Sequence, residues 1–267
     1  MNVKTSAHKR TVINGLLTVK ESLKLSANLI RIVFTCDKTL NVDPQWIGPH
    51  LKLLFPLSGS KEIHFPQMNE ESKIIWQEGV RERVRTYSVR NYNSVDNTMA
   101  IDFVVHQHGI ATTWAQQAKA GDTIGLVAMG SKNRFDENIQ LILLGDISAL
   151  PAISYTLEHL PAYQKAIAII EVRDEQDKIT IKVAKHAMLK WAVTPQGEQS
   201  KLIDMVNQLN LAQDDDSLVF WGGMESSVSQ ALRHHLKVHF SQVPADSIRL
   251  ISYWREGFAE GQFKHHD

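Results

Sequence analysis

Up to about residue 130, apolar positions come in short runs, many of them alternating with polar ones. Beyond residue 138 they come in unbroken blocks separated by helical spacings. Alternation marks strands with one wet face, and unbroken blocks mark strands covered on both faces. In the first half, "LTVKESLKLSANLIRIVFTC", "HLKLLFP", "VRTYSVRNY", "MAIDFVVH" and "GDTIGLVAMG" all read as β structure. Pro56 stops the second of these, and the Asn and Asp of "NSVDN" turn the chain between the third and fourth. This spacing predicts a small antiparallel barrel of six strands. One helix interrupts it, over "ATTWAQQAKA", with Thr112 or Thr113 as N-cap and Gly121 as its stop.

The second half alternates strand and helix. "IQLILLGD", "KAIAIIEV", "SLVFWGG" and "SIRLISYW" are the expected strands. "ALPAISYTLEHL", with Leu150, Ile153, Leu157 and Leu160 on one face, and "MESSVSQALRHHLKVHF" are the expected helices. Buried strands alternating with helices predict a parallel sheet in an α/β domain. The join falls in "SKNRFDEN", so the expected domains are residues 1–135, the barrel, and 136–267, the α/β part with its tail.

Composition narrows the classes of function. Lys+Arg and Asp+Glu balance at 29 each, so no global basic field draws nucleic acid or an anionic membrane. An anionic ligand must be held by a local cluster. The single cysteine, Cys36, excludes an intramolecular disulfide and every CxxC metal or iron–sulfur arrangement. No apolar run approaches the roughly 18–20 residues of a membrane span, and the first residues lack the apolar core of a signal peptide. A cytoplasmic protein is expected.

The stretch "RVRTYSVRNYN" holds Arg85, Thr86, Tyr87 and Ser88 on one strand. A tyrosine ring offers a face to a planar heterocycle, an arginine a fork of donors to phosphate, and a serine a further hydroxyl. Downstream, "HGIATTWA" sets Gly109, Ala111, Thr112 and Thr113 where a helix begins, and free N–H groups there suit an anion. A ring-stacking strand beside a phosphate-binding helix start describes a flavin dinucleotide site. In the second half, Gly145-Asp146 closes a buried strand ahead of a helix, which is where open α/β sheets bind ligands. Gly222 and Gly223 in "WGGME" allow close backbone approach, and Glu225 opens the next helix. No GxGxxG is present.

Taken with "IDFVVHQHGIATTWAQQAKAGDTIGL", "LLGDISALPAISYTLEHLP", "VFWGGMESSVSQALRHHL" and "ISYWREG", these blocks resemble, in order, the siderophore-interacting protein family. That family comprises flavin-dependent ferric-siderophore reductases of the ferredoxin–NADP reductase superfamily, and the resemblance runs from about Arg10 to Gly261. It implies FAD in the barrel, NADH or NADPH in the α/β domain, and reduction of Fe(III)-siderophore to Fe(II). By the same resemblance, Arg85, Thr86, Tyr87 and Ser88 are the family's Arg-x-Tyr-Ser/Thr motif, with Tyr87 on the isoalloxazine. Asp102, Phe103, Val104, His106, Ala111, Thr112, Thr113 and Trp114 form the segment along the flavin, and Tyr253 and Trp254 lie near it. The family's Gly-Asp-Glu-Thr turn becomes Gly145, Asp146, Ile147 and Ser148, followed by Ala149. His108 and Ile110 replace the small or rigid residues that many relatives carry in the helix-entry loop.

After "KAIAIIEV" comes "EVRDEQD", in which Arg173 stands among Glu171, Asp174, Glu175 and Asp177. That acidity leans towards NADH, with NADPH as the other donor. Lys52, Lys132, Arg134 and Lys264 are the candidate cations for an anionic ferric siderophore. A monomer with small-molecule partners, touching neither nucleic acid nor membrane, is expected. Two other readings remain open: a general NAD(P)H-flavin or ferredoxin-type reductase, and a siderophore carrier that never turns over.

Overall fold

The computed structural model describes residues 13–71, 73–107, 109–260, 262 and 263. Strands β1 (Gly15–Lys24), β2 (Leu29–Cys36), β3 (Trp46–Ile47) and β4 (His50–Leu54) come first. A small hairpin, β5 (Gln67–Met68) and β6 (Ile74–Ile75), precedes β7 (Val84–Ser88), β8 (Asn91–Asn93) and β9 (Thr98–Val104). Helix α1 (Ile110–Gln117), β10 (Thr123–Gly130) and β11 (Asn133–Arg134) complete this half.

Seven of these strands make one antiparallel sheet, in the order β7-β4-β10-β1-β2-β9-β8. The first six are the expected barrel strands, and the three-residue β8 is added as a hairpin partner of β9. The sheet rolls up until Tyr87 of β7 meets Phe103 of β9, ring centroids 4.6 Å apart. Inside lie Leu17, Ile32, Phe34, Leu51, Leu53, Met99, Ile101, Phe103 and Ile124, all fully buried. Each such side chain contributes about 1.5–3 kcal/mol relative to leaving it in water. Helix α1 plugs one end by inserting Trp114 against Phe34, Phe55 and Phe103, at centroid distances of 6.2, 5.6 and 6.2 Å.

Helix α1 starts earlier than expected, with Gly109 as its N-cap and Thr112 and Thr113 in its first turn. Glycine is needed there because the backbone sits at φ +148, and a Cβ would lie 2.5 Å from the His106 ring. The helix ends at Gln117, and Gly121 turns the chain into β10 at φ +91.

The second half contains β12 (Gln140–Asp146), α2 (Leu150–Glu158), β13 (Lys165–Val172), β14 (Ala187–Val193), α3 (Leu202–Asn207), β15 (Leu218–Glu225), α4 (Ser226–His239) and β16 (Ile248–Trp254). Its five strands are all parallel, in the order β14-β13-β12-β15-β16. Strand β14 and helix α3 were not expected from the sequence. The first is a half-exposed edge strand and the second is only six residues long, so neither carries a long apolar signal. Chain order reverses at β12: β13 lies on one side and β15 on the other. The crevice beyond its end, at Gly145 and Asp146, is the switch point where such sheets bind ligands.

The two sheets share a packed boundary. Leu29 and Ile47 belong to the same apolar cluster as Leu143, Leu150, Ile153 and Trp221. Gly48, at φ +55, lies so close to Trp221 that a Cβ would stand 2.2 Å from the indole. The Gly48 N–H donates to Thr156 Oγ1 at 3.0 Å. Ser26 and Asn28 both donate to the Asp177 carboxylate, at 2.5 and 3.0 Å.

Candidate functional site

Strand β7 is an edge strand of the barrel sheet, so alternate backbone groups along it face outward. Tyr87 points inward onto Phe103, and burial pushes its hydroxyl above the ordinary tyrosine range. Arg85 is half-buried, and its Nη1 donates to the carbonyls of Glu82 and Val84 at 2.7 and 2.8 Å. Ser88 is buried beside Tyr253 of the last parallel strand. Burial raises Tyr253 to about 12, with Asp146 adding to the effect and Ser88 opposing it. The barrel motif and the last strand of the α/β sheet therefore meet at one place.

The segment leading into α1 divides in two. Asp102 is fully buried and bidentate with Arg31, at 2.6 and 2.8 Å, while Phe103 and Trp114 sit in the barrel core. These three hold the scaffold from inside. Val104 and His106 lie nearer the surface, whereas Ala111 and Thr112 in the first turn of α1 are buried. Thr112 Oγ1 accepts from the His106 N–H at 3.3 Å, which closes the entry loop, and Thr113 is exposed. Among the described residues no side chain caps α1, and the first N–H groups of such a helix suit an anionic ligand. His108 lies outside the described residues.

At the crevice of the parallel sheet, Asp146 is half-buried and accepts four hydrogen bonds. They come from Ser148 N (2.8 Å) and Oγ (2.5 Å), Glu225 N (2.9 Å) and Trp254 Nε1 (2.7 Å). Burial raises its pKa, against the pull of those donors. Ala149 is buried at the N-cap of α2. Gly222 and Gly223 are where backbone approach demands glycine: a Cβ would stand 1.9 Å from the Leu144 carbonyl oxygen at one, and 2.5 Å from the Tyr253 ring at the other. Glu225 caps α4, accepting from Ser227 N at 2.5 Å and Val228 N at 3.3 Å. Burial pushes its pKa up, but these donors prevail and hold it below the usual carboxylate value. A carboxylate thus already occupies the positive end of α4.

The acidic run after β13 is engaged elsewhere. Glu171 is buried and accepts from Thr194 Oγ1 and Lys201 N, both at 2.7 Å. Asp174 caps a short turn, Glu175 pairs with Lys178 at 2.6 Å, and Asp177 holds Ser26 and Asn28. Arg173 is exposed on the wall of a cleft of about 290 Å³, with Asp146, Ser200, Glu198, Glu225 and Trp254 around it. Its contact with the Pro195 carbonyl is long, at 3.5 Å. Asp174, Glu175 and Asp177 are thus engaged outside the crevice, whereas Glu171 lines it with Glu198, Glu225 and Glu256.

Of the four candidate cations, two come together. Lys52 and Lys132 both act on His50, whose pKa is pushed down to about 4 by burial and by the two lysines. Arg134 is instead paired with Asp43 at 2.5 Å, and Lys264 lies outside the described residues. Two members of this region had no sequence signal. His50 is an ordinary strand residue, opposite Ser88 in register. Glu260 returns from the C-terminal end to accept from Thr86 N at 2.8 Å and from Thr86 Oγ1 at 2.5 Å, with Lys52 Nζ at 3.3 Å. Burial raises Glu260, but these partners outweigh it and keep it below the usual carboxylate range.

A consequence for acid stability follows from His50. Its folded pKa, about 4, lies below the ordinary 6.5, so the unfolded chain binds the proton first as pH falls. The stability linked to neutral His50 is present above pH 6.5 and is lost as pH falls towards 4. His50→Gln, neutral throughout, is expected to flatten the decline of the urea midpoint across that window; an unchanged slope would show that His50 does not cause it.

Known proteins echo this arrangement. The profile of the siderophore-interacting FAD-binding domain matches residues 18–133, and that of siderophore-interacting protein matches 139–257. A ferric vibriobactin reductase, ViuB, from Vibrio cholerae is 33% identical over 236 residues, 87% of this chain and 86% of that one. An NADPH-dependent ferric-chelate reductase from Escherichia coli is 27% identical, covering 89% and 91%. The crystal structure of the siderophore-interacting protein SipS from Aeromonas hydrophila superposes with a TM-score of 0.74 at 25% identity, covering 92% of this chain and 94% of that one.

Proposed function

The chain belongs to the siderophore-interacting protein family, and from that premise we propose a division of labour among its residues. It is an FAD-dependent oxidoreductase that uses NADH or NADPH to reduce ferric siderophore and release Fe(II). Residues 1–135 bind FAD and residues 136–267 bind the nucleotide. Chelation by a siderophore favours Fe(III) over Fe(II), so reduction frees the metal. Bound FAD supplies the conversion between a two-electron hydride donor and a one-electron metal acceptor.

The residues present fit that cofactor. The start of α1, entered through Gly109, offers N–H groups to a pyrophosphate. The Arg85 guanidinium has further donors beyond the Nη1 that the backbone occupies, and serves the same charge. Tyr87, packed on Phe103 on one side and half-buried, offers its other ring face, while Ser88 is buried behind the strand. Asp102, Phe103 and Trp114 hold these elements in place from the core. The observation that carries the reading is the direct tie between the two halves, the Gly48 N–H donating to Thr156 of α2, which holds the flavin barrel against the nucleotide sheet. Titrating FAD-free protein with FAD and following flavin fluorescence tests it: saturable binding of one FAD per chain is expected, and a protein that refuses FAD would overturn the assignment.

Gly222 and Gly223 let β15 pack tightly on Leu144 and Tyr253 at the floor of the crevice, and Asp146 fixes Trp254 beside the nucleotide. Arg173, exposed on the cleft wall, is placed for the adenosine 2′-phosphate: Asp174, Glu175 and Asp177 are engaged outside the cleft, and the Glu171 carboxylate is satisfied by Thr194 and Lys201. We therefore favour NADPH. Arg173→Ala is expected to raise KM for NADPH by roughly tenfold, the loss of one charge-assisted contact, and to leave KM for NADH nearly unchanged. Equal changes for both donors would refute this placement.

Lys132 is the cation offered to the anionic chelate, Arg134 being paired with Asp43 and Lys52 with Glu260. Exposed charges act mainly on capture, so Lys132→Ala should slow iron reduction a few-fold at low salt and leave flavin reduction alone. Among the described residues no helix is long and apolar enough to cross a membrane. One copy of the chain carries both sites, so a monomer suffices, and the supply of reduced nucleotide places it in the cytoplasm.

A further inference from the structure

Arg90 follows the flavin motif by two residues, and its guanidinium grips the Glu158 carboxylate at the end of α2 through both branches, at 2.6 and 2.8 Å. The side chains are 8% and 21% exposed, so the pair is largely shielded from water. Behind it lies Asp102, 4.0 Å from Arg90 Nε and itself held bidentate by Arg31 of β2. The chain of charges Arg31–Asp102–Arg90–Glu158 thus runs from inside the barrel sheet into a helix of the nucleotide half. Thr156, two residues before Glu158, accepts the Gly48 N–H from the barrel, so α2 is held to the barrel at two points.

We propose that Arg90 and Glu158 are positioning residues that set the distance between the flavin strand and the nucleotide sheet. The proposal rests on the flavoprotein reading above. The donor is held by the parallel sheet and the flavin by the barrel, so their relative placement depends on this boundary. Hydride transfer is sensitive to such placement, and a shift near 1 Å is enough to slow a reaction substantially. The ferric chelate approaches a cation that belongs to the barrel side, Lys132, and its reduction does not depend on the boundary. A forked ion pair is well suited to the task, because two parallel hydrogen bonds fix orientation as well as distance.

The test uses the FAD-loaded protein and the variants Arg90→Lys and Glu158→Gln, with Glu158→Asp as the conservative control. At saturating NADPH, anaerobic flavin bleaching should slow by about tenfold in the first two, and less in Glu158→Asp. Reoxidation of pre-reduced protein by a ferric siderophore, and FAD affinity, should stay within about twofold of the parent. In FAD-free protein, hydrogen exchange of the peptide containing Gly48 should quicken, because the clamp that holds Thr156 against it is loosened. Bleaching within twofold of the parent together with unchanged exchange at Gly48 would overturn the proposal. So would equal slowing of both half-reactions accompanied by loss of FAD, which marks general damage. A parent protein that NADPH does not bleach would instead refute the flavoprotein reading itself.

Discussion

Gly222→Ala is expected to lower the free energy of unfolding by about 3 kcal/mol, one of the largest effects available to a single methyl group in this chain. The added Cβ would stand 1.9 Å from the Leu144 carbonyl oxygen, far inside contact distance. That oxygen belongs to the backbone of β12, the central strand, which is paired on both sides and cannot swing away. On the other side the Met224 Cε would be 3.3 Å away, so retreat in that direction is also limited. The strand pair must spread, and with it the switch point at Gly145 and Asp146 where the nucleotide is proposed to bind. Gly130→Ala is the control: nothing lies within 4 Å of a Cβ there, and the change should stay within about 0.5 kcal/mol. Urea midpoints measure both. A loss below about 1 kcal/mol at Gly222 would contradict the close packing of β12 on β15.

Arg85→Ala should weaken FAD binding by tenfold to about a hundredfold, the range of 1.5–3 kcal/mol for a charge-assisted hydrogen bond. Tyr87→Phe should cost much less, because phenylalanine keeps the ring face and the contact with Phe103. The ranking matters more than either number. Arginine supplies the only full positive charge in the Arg85 to Ser88 motif, whereas stacking survives loss of a hydroxyl. Fluorescence titration of FAD into each protein gives the ratio. Equal losses, or the reverse order, would mean that the pyrophosphate is held by the start of α1 without Arg85.

Local periodicity was enough to read the barrel strands and the alternating second half, because their apolar runs record burial directly. What the sequence concealed lies in contacts between distant segments. The run Glu171 to Asp177 reads as an acidic face, yet its partners are Thr194, Lys201, Ser26 and Asn28, the last two on the opposite domain. Only the folded chain shows which of these charges remains turned towards the crevice. Strand β14 escaped notice because an edge strand alternates weakly and its residues stay half-exposed. The start of α1 was misplaced towards Thr112 because two threonines look like caps, while the true requirement was room for the His106 ring, met by Gly109. Glu260 gave no signal at all: it is one acid in a polar tail, and its role appears only where the tail returns to Thr86 and Lys52. The motif residues Arg85 to Ser88 were legible because strand alternation and side-chain chemistry coincide in four consecutive positions.

The central claim is that this chain passes electrons from a nicotinamide nucleotide through FAD to siderophore-bound iron. The most direct measurement is an anaerobic two-step mixing experiment on the FAD-loaded protein. NADPH is added first while the flavin absorption is followed, and excess nucleotide is removed. Ferric siderophore is then added with a coloured Fe(II) chelator. The account predicts that the nucleotide bleaches the flavin, that the ferric siderophore restores its colour, and that about two Fe(II) appear per flavin reoxidised, because each hydride carries two electrons and each iron takes one. A flavin that stays bleached in the presence of ferric siderophore, with no Fe(II) captured, would contradict it.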